Sequence, residues 1–369
     1  MTSGPRVAVV GAGANIFGAH RRGLAAVDAR VVAVQDADAG RARRVAEELG
    51  CAPCPDVAAL LSVPADLVVI LAPHPLHAPL AVEALRAGRH VLVEKPVADE
   101  VAEADRMVAE AGRAGRLLAV AFQQRARPEV VEALRLVRAG LLGELRRASV
   151  LATWPRRASY FRTAPWRGTW RGEGGGILIN QGQHDLDLLY LLAGRPARVT
   201  GWARTRLHDV ETEDTVEALA EWPGAAIGGA MGSIHISTAE ADEGQRIELT
   251  GTAGRLRLLP GRLEAWRGEV DFREYLASPG DPFAPPAVTR LPVFEAPAGG
   301  GRGSGHEAVY RNLVAAMAGE EPLLAPAGEA TAALELANAI ILSSATGAEV
   351  PLPLDRAAYA ALLRARREG

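Results

Sequence analysis

Five short apolar runs, at residues 7–10, 31–35, 67–71, 90–93 and 117–121, recur along the first third of the chain. Amphipathic stretches separate them, clearest at residues 78–87 and 101–114. Short strands that alternate with helices of 10–15 residues pair in parallel, with helices on both faces of the sheet. The pattern therefore predicts a doubly wound α/β sheet. Ligands of such sheets sit outside the carboxyl ends of the strands. Gly11, Asp36, Pro73-His74 and Glu94-Lys95 all fall at such ends.

The first run stops at Gly11-Ala12-Gly13, and a helical stretch follows from about residue 18. Strand, glycine turn and helix form the setting in which backbone amides and a helix dipole hold a dinucleotide pyrophosphate. The turn Gly11, Gly13, Ala14, Asn15 and Ile16 is the expected phosphate cradle, although Ile16 stands where a third glycine would fall. Asp36 closes the second run, 23 residues after Gly13. An acid there accepts hydrogen bonds from ribose hydroxyls and repels a 2′-phosphate, which favours NAD over NADP. Arg41, Arg43 and Arg44 follow at helical spacing and read as a solvated face. Pro73, His74 and His77 belong to a loop bordering the cofactor, with His77 opening the next helix. As a metal pair, His74 and His77 lack a third ligand, so no metal is expected. Gln123, just past the fifth run, joins the cofactor set.

Of the 41 Lys and Arg residues, Lys95 is the single lysine. Arginine is permanently charged and forked, whereas a lysine ammonium is compact and releases a proton when desolvated. A position that keeps lysine in an arginine-rich chain points to a point charge or a movable proton. Lying after an apolar strand and before Pro96, Lys95 reads as an active-site lysine that also borders the cofactor, and Glu94 beside it joins the cofactor-binding set.

At 369 residues the chain accommodates two domains, expected at 1–124 and 125–369. A net charge of -3 speaks against nucleic acid as the main partner. No apolar run reaches the ~18 residues of a membrane span, and with a strand-like run beginning by Arg6 no secretory leader is expected. A cytoplasmic location is expected. Cys51 and Cys54 read as free thiols in a surface loop.

The second half begins with an amphipathic helix at residues 128–140. Residues 154–171 are rich in Trp, Tyr and Arg. Here Tyr160, Trp166 and Arg167, together with Arg125 and, further on, Asp187, are candidate substrate contacts, since aromatic rings stack on sugars and arginines bind anions bidentately. Gly174-Gly175-Gly176 then leads into a predicted helix that places Asn180 and His184 at i, i+4 on one face, with Asp187 a turn further. An imidazole titrating near pH 6.5 is the natural proton acceptor. Strand-like runs across residues 199–274 predict one large antiparallel sheet, residues 278–305 a long loop, and residues 306–318 and 329–346 closing helices.

The glycine turn, Glu94-Lys95-Pro96, Trp166-Arg167-Gly168-Thr169-Trp170 and the stretch 174–189, in that order, resemble the glucose–fructose oxidoreductase / inositol dehydrogenase / rhizopine catabolism (Gfo/Idh/MocA) family. The resemblance implies an N-terminal Rossmann domain and a C-terminal α+β domain with a large, mostly antiparallel open-faced sheet that builds homodimers or homotetramers. It implies an NAD(P)-dependent oxidoreductase acting on a hydroxyl of a sugar, cyclitol or sugar derivative, and a cis Lys95–Pro96 bond. Lys95 and His184 match the catalytic pair, and Asn180 stands where many members carry aspartate. The same fold hosts glycoside hydrolases that use NAD transiently and a nucleotide-binding sensor, and both alternatives stay open at this point.

Overall fold

The computed structural model describes residues 4–224, 229–241, 244–297 and 305–369, which divide into two units. The first comprises residues up to 126, 171–174 and 305–334. The second comprises 127–170, most of 175–297, and 335–369. The chain thus crosses between units several times, rather than once at 124/125 as the expected division had it. The long helix Ala327–Thr346 contributes its first residues to one unit and the rest to the other.

In the first unit, β1 (Arg6–Val10), β2 (Arg30–Gln35), β3 (Ala52–Pro53), β4 (Leu67–Ile70), β5 (His90–Val93) and β6 (Leu118–Val120) form one sheet. Its order is β3-β2-β1-β4-β5-β6 and every pairing is parallel. This is the Rossmann order, with its switch point between β1 and β4. All four residues of β4 are buried, as a strand covered on both faces must be. The crossover helices include α1 (Phe17–Ala25), α2 (Ala39–Leu49), α3 (Val57–Ser62), α4 (His77–Arg86) and α5 (Val101–Ala114). Asp38 and Asp56 cap α2 and α3 through backbone amides of Gly40, Arg41 and Ala59. Gly50 and Gly115 end α2 and α5 in the left-handed conformation.

Residues far along the chain complete this unit. The carbonyl of Ala325 accepts from Val120 at 3.0 Å, closing the edge at β6. Helix His306–Met317 lies on α1 so tightly that a Cβ on Gly23 would meet the Tyr310 ring at 2.3 Å. A correction concerns the two cysteines. They flank β3 instead of sitting in a surface loop, Cys54 is buried, and both thiols are free. Burial pushes both thiols up in pKa.

The second unit is built on β7 (Leu145–Thr153), β8 (Arg198–Arg204), β9 (Thr215–Trp222), β10 (Ala230–Ser237), β11 (Gln245–Gly251), β12 (Gly254–Leu259), β13 (Arg262–Gly268), β14 (Val288–Arg290), β15 (Phe294–Glu295) and β16 (Val350–Pro351). The ladder runs β14-β13-β12-β11-β7-β10-β9-β8-β16, with β15 also on β13. The sheet is antiparallel except at β7 and β10, which pair in parallel. That exception arises from β7, a strand the sequence pattern did not single out. Helix Arg356–Glu368, capped by Asp355, was likewise not anticipated. The expected loop at 278–305 carries β14 and β15, and its residues 298–304 lie outside the described ones. Among the described residues no helix is long and apolar enough to cross a membrane.

Candidate functional site

In the first unit the candidate residues gather at the carboxyl edge of the parallel sheet. Gly11 follows β1 with φ of 79°, and a Cβ there would meet Ala72 N at 2.9 Å. Gly13 donates its N–H to Asp36 Oδ2 at 2.8 Å, and a Cβ on Gly13 would meet that same oxygen at 2.9 Å. Asp36 Oδ1 accepts from Asp38 N at 2.9 Å. The acid at the end of β2 is thereby fixed beside the glycine turn. Helix α1 begins at Phe17 behind Ile16, with no side-chain cap on its first amides. The amides of Phe17 and Ala19 turn back to the carbonyls of Ala14 and Ile16 (each 2.9 Å), so it is the glycine cradle, the helix dipole and the fixed carboxylate that fit the pyrophosphate and ribose of a dinucleotide. Arg41, read as solvated face, pairs with Asp38 at 3.4 Å.

Beyond β4, Pro73 precedes a single 3-10 turn, His74–Leu76. His74 is buried, with Nδ1 3.1 Å from the Glu173 carbonyl. His77 opens α4 as expected, but it is wholly buried between the carbonyls of Pro96 (2.7 Å) and Ala72 (2.8 Å). Both ring nitrogens are engaged by backbone, so His77 shapes the loop rather than presenting a ring to the cofactor. Burial pulls its pKa down against the opposing pull of those carbonyls and of Glu94 and Asp99. Gln123, after β6, keeps its side-chain Oε1 buried with no hydrogen-bond partner among the described residues.

Lys95 is half-buried at the end of β5, and its bond to Pro96 is cis. Its backbone N–H donates to Glu94 Oε2 at 3.0 Å. Glu94 Oε1 lies 2.8 Å from His20 Nε2 and 3.5 Å from His306 Nε2, and His20 Nδ1 lies 2.9 Å from the Tyr310 hydroxyl. Burial pushes the Glu94 carboxyl up, but hydrogen bonds from His20 and His306 and the neighbouring charges outweigh it and hold its pKa well below the usual range. His20, His306 and Tyr310 escaped the sequence reading. One signal was present: His20 shares the buried stripe of α1 with Phe17 and Leu24. Arg125, expected at the substrate, is held inside the first unit. Its guanidinium is buried, 3.0 Å from the Leu324 carbonyl and 2.9 Å from Glu329 Oε2, which ties it to closing elements of its own unit.

The second unit holds the other set. The regular helix runs Gln183–Ala193, so Asn180 lies in the turn before it and does not share a helical face with His184. The cause is the glycine stretch. Gly176 abuts Glu213, whose carbonyl a Cβ would meet at 1.9 Å, and the Glu213 carboxylate accepts from the amides of Gly176 (2.9 Å) and Leu178 (3.1 Å). This brace winds residues 176–182 into turns, and Gly182 caps the helix. The Tyr160 hydroxyl accepts from Asn180 Nδ2 (3.1 Å), Gln181 Nε2 (2.9 Å) and Arg167 NH1 (2.5 Å). Arg167 also lies 4.4 Å above the Trp166 ring and 4.5 Å above that of Tyr160. Tyr160, Trp166, Arg167 and Asn180 therefore form one network. His184, the second residue of the helix, is 6 % exposed, whereas Asp187 is 1 % exposed and sits in the packed body of the unit. Trp154 Nε1 donates to buried Asp185 at 2.8 Å, and Trp170 Nε1 donates to the Glu211 carbonyl, so both rings dock their loop.

Residues 5–122 match a family model described as an oxidoreductase family with an NAD-binding Rossmann fold, and residues 130–257 match the GFO/IDH/MocA C-terminal domain. The chain is 39% identical over 151 residues to inositol 2-dehydrogenase 1 of Saccharopolyspora erythraea, covering 38% of this chain and 43% of that protein. It is 32% identical over 239 residues to a dTDP-3,4-didehydro-2,6-dideoxy-alpha-D-glucose 3-reductase of Streptomyces antibioticus, covering 64% and 69%. D-glucoside 3-dehydrogenase of Escherichia coli is 32% identical, over 60% of this chain and 63% of its own length. The chain thus spans less than two thirds of the inositol and glucoside dehydrogenases it matches. Among solved structures, the WlbA dehydrogenase of Bordetella pertussis, in complex with NADH and UDP-GlcNAcA, superposes with a TM-score of 0.78 at 27% identity, covering 95% of this chain and all of that one.

Proposed function

Given that the chain belongs to the Gfo/Idh/MocA family of oxidoreductases, we propose that it moves hydride between a nicotinamide cofactor and a secondary hydroxyl of a sugar, cyclitol or sugar derivative. The observation that carries this reading is the placement of its only lysine at the carboxyl end of β5, on the edge that also bears the glycine cradle and Asp36. Bound NAD supplies the hydride acceptor in one direction and the donor in the other.

The chain's own residues divide the remaining work. The turn 11–16 and the start of α1 hold the pyrophosphate, and Asp36 holds the ribose and disfavours a 2′-phosphate. The loop at Pro73-His74 and Gln123 border the cofactor. Lys95 donates to the oxygen of the reacting carbon, stabilising negative charge that grows toward the transition state. His184 takes the hydroxyl proton in oxidation and returns it in reduction. Asn180 cannot carry a proton, and its bond to Tyr160 supports a positioning role. Arg167, clamped over Tyr160 and Trp166, supports substrate recognition by that aromatic wall.

We place the protein in the cytoplasm, which its unpaired Cys51 and Cys54 support. We also propose a homodimer or homotetramer through the large sheet. Trp202, Leu219 and Met231, on β8, β9 and β10, are each more than half exposed, an apolar face that a second copy would cover.

A screen of NAD reduction over inositols, aldoses, uronates and nucleotide sugars tests the reading. NADH formation with at least one member is expected, abolished in Lys95→Met and His184→Ala with NAD binding retained. Sugar release without net NADH would replace it with the hydrolase reading, and near-normal turnover in either variant would retire the mechanism.

A further inference from the structure

Four side chains of the first unit meet in a buried cluster to which the chemistry above gives no part. His20, on α1, is 0 % exposed; His306 and Tyr310, on helix His306–Met317, are 3 % and 1 % exposed; Glu94, at the end of β5, is 9 % exposed. The His20 and His306 rings meet edge to face with centroids 4.8 Å apart. His77 at the start of α4 and Lys95 are the other titratable groups under the Glu94 field.

A buried carboxylate that stays ionised needs a compensating cation. Two arrangements fit a carboxylate between two imidazoles: direct hydrogen bonding to the rings, or a bridging metal ion. The distances decide. Two ligands of one tetrahedral zinc at about 2.0–2.1 Å stand about 3.3 Å apart, yet His20 Nε2 and Glu94 Oε1 are 2.8 Å apart, the separation of a charge-assisted hydrogen bond. The Tyr310 hydroxyl on the far nitrogen fixes the His20 ring. The other Glu94 oxygen accepts the backbone N–H of Lys95. The carboxylate is thereby tied to the backbone from which the lysine springs.

We propose that His20 and His306 are positioning residues for Lys95: they fix the Glu94 carboxylate, and through it set the orientation and protonation of the chain's single ammonium. The proposal rests on the reading of Lys95 as the group that meets the reacting oxygen, but its test needs no turnover.

Because Lys95 is the only lysine, reductive methylation of the whole protein with 13C-formaldehyde yields one dimethyllysine NMR signal besides that of the α-amino group. Methylation keeps the charge, so the signal can be titrated in the wild type, Glu94→Gln, His306→Gln and His20→Gln. Removing the negative charge in Glu94→Gln should lower the lysine midpoint by about one pH unit. Removing a ring that holds the carboxylate in His306→Gln or His20→Gln leaves its charge less compensated and should raise the midpoint. Circular dichroism selects the folded variants. His20→Gln removes the partner of Tyr310, so His306→Gln carries the test if it fails to fold. An unmoved midpoint in folded Glu94→Gln and His306→Gln would overturn the proposal, as would one equivalent of zinc retained through purification and lost in His306→Gln. Where a substrate is found, the pH profile of kcat should shift in His306→Gln with the KM for NAD unchanged. Full activity of Lys95→Met would refute the catalytic reading while leaving the NMR result to judge the cluster.

Discussion

Lys95 and His184 are held by two unlike kinds of support. Around Lys95 the support is ionic and deeply buried, and it comes from residues 20, 94, 306 and 310, spread over most of the chain. The support before His184 is short in sequence and largely neutral: a phenol, two carboxamides, one guanidinium and a carboxylate braced on backbone amides, the first four between residues 160 and 181. A buried charged network fails steeply when one member is lost, because the partner charge stays behind. A neutral network loses roughly one hydrogen bond at a time. The two sites should therefore respond differently to conservative changes.

The largest effects sharpen the comparison at the reacting groups. His184→Ala should lower turnover about 10²–10⁴-fold, the range for a lost general base. Lys95→Met should lower it about 10²–10³-fold, the range for a lost oxyanion donor. In both, NAD affinity measured by fluorescence quenching should stay within a few-fold of wild type. Tyr160→Phe comes next. It deprives Arg167, Asn180 and Gln181 of their common acceptor, and kcat/KM should fall about tenfold, the equivalent of one poorly replaced hydrogen bond. A loss as large as that in His184→Ala would break the contrast, since it would mean that Tyr160 itself meets the reacting atoms.

The smallest effect concerns pH. His77 has a folded pKa below its unfolded value of about 6.5. Its contribution to stability is complete above that value and declines as pH falls, because the unfolded chain takes a proton that the folded chain refuses. Glu94, also depressed, contributes above the ordinary carboxylate range and is lost only as pH drops through its low folded value. Tm should accordingly decline gently below about pH 6.5 and more steeply in strong acid, and His77→Asn should flatten the first limb alone. An unchanged first limb would show that the backbone carbonyls keep His77 protonated in the folded state.

Much of the first unit was legible in the chain itself. Strands buried on both faces must be continuous apolar runs, so β1, β2, β4, β5 and β6 were marked by composition, and their ends marked Gly11, Asp36 and Lys95. Less of the second unit was. Strand β7 carries exposed Arg146 and Arg147 at its start and was passed over, although its pairing with β10 makes the one parallel step in the sheet. The helical face assigned to Asn180 and His184 failed for a definite reason. Periodicity registers residues only within a regular element, and Glu213, 33 residues after Asn180, holds residues 176–178, just before Asn180, in turns ahead of the helix. The partners of Arg125 were hidden likewise, since Leu324 and Glu329 lie about 200 residues away.

By itself the sequence determined which segments form the buried parallel strands β1, β2, β4, β5 and β6, where those strands stop and which groups able to do chemistry stand at their ends, because these follow from local periodicity and from the parallel pairing that crossover helices enforce. Only the tertiary structure decided which polar groups are neighbours: His20 with Glu94 and His306, Tyr160 with Arg167 and Asn180, Arg125 with Glu329. Hydrogen bonds and ion pairs act over about 3 Å of space, and separation along the chain does not enter them.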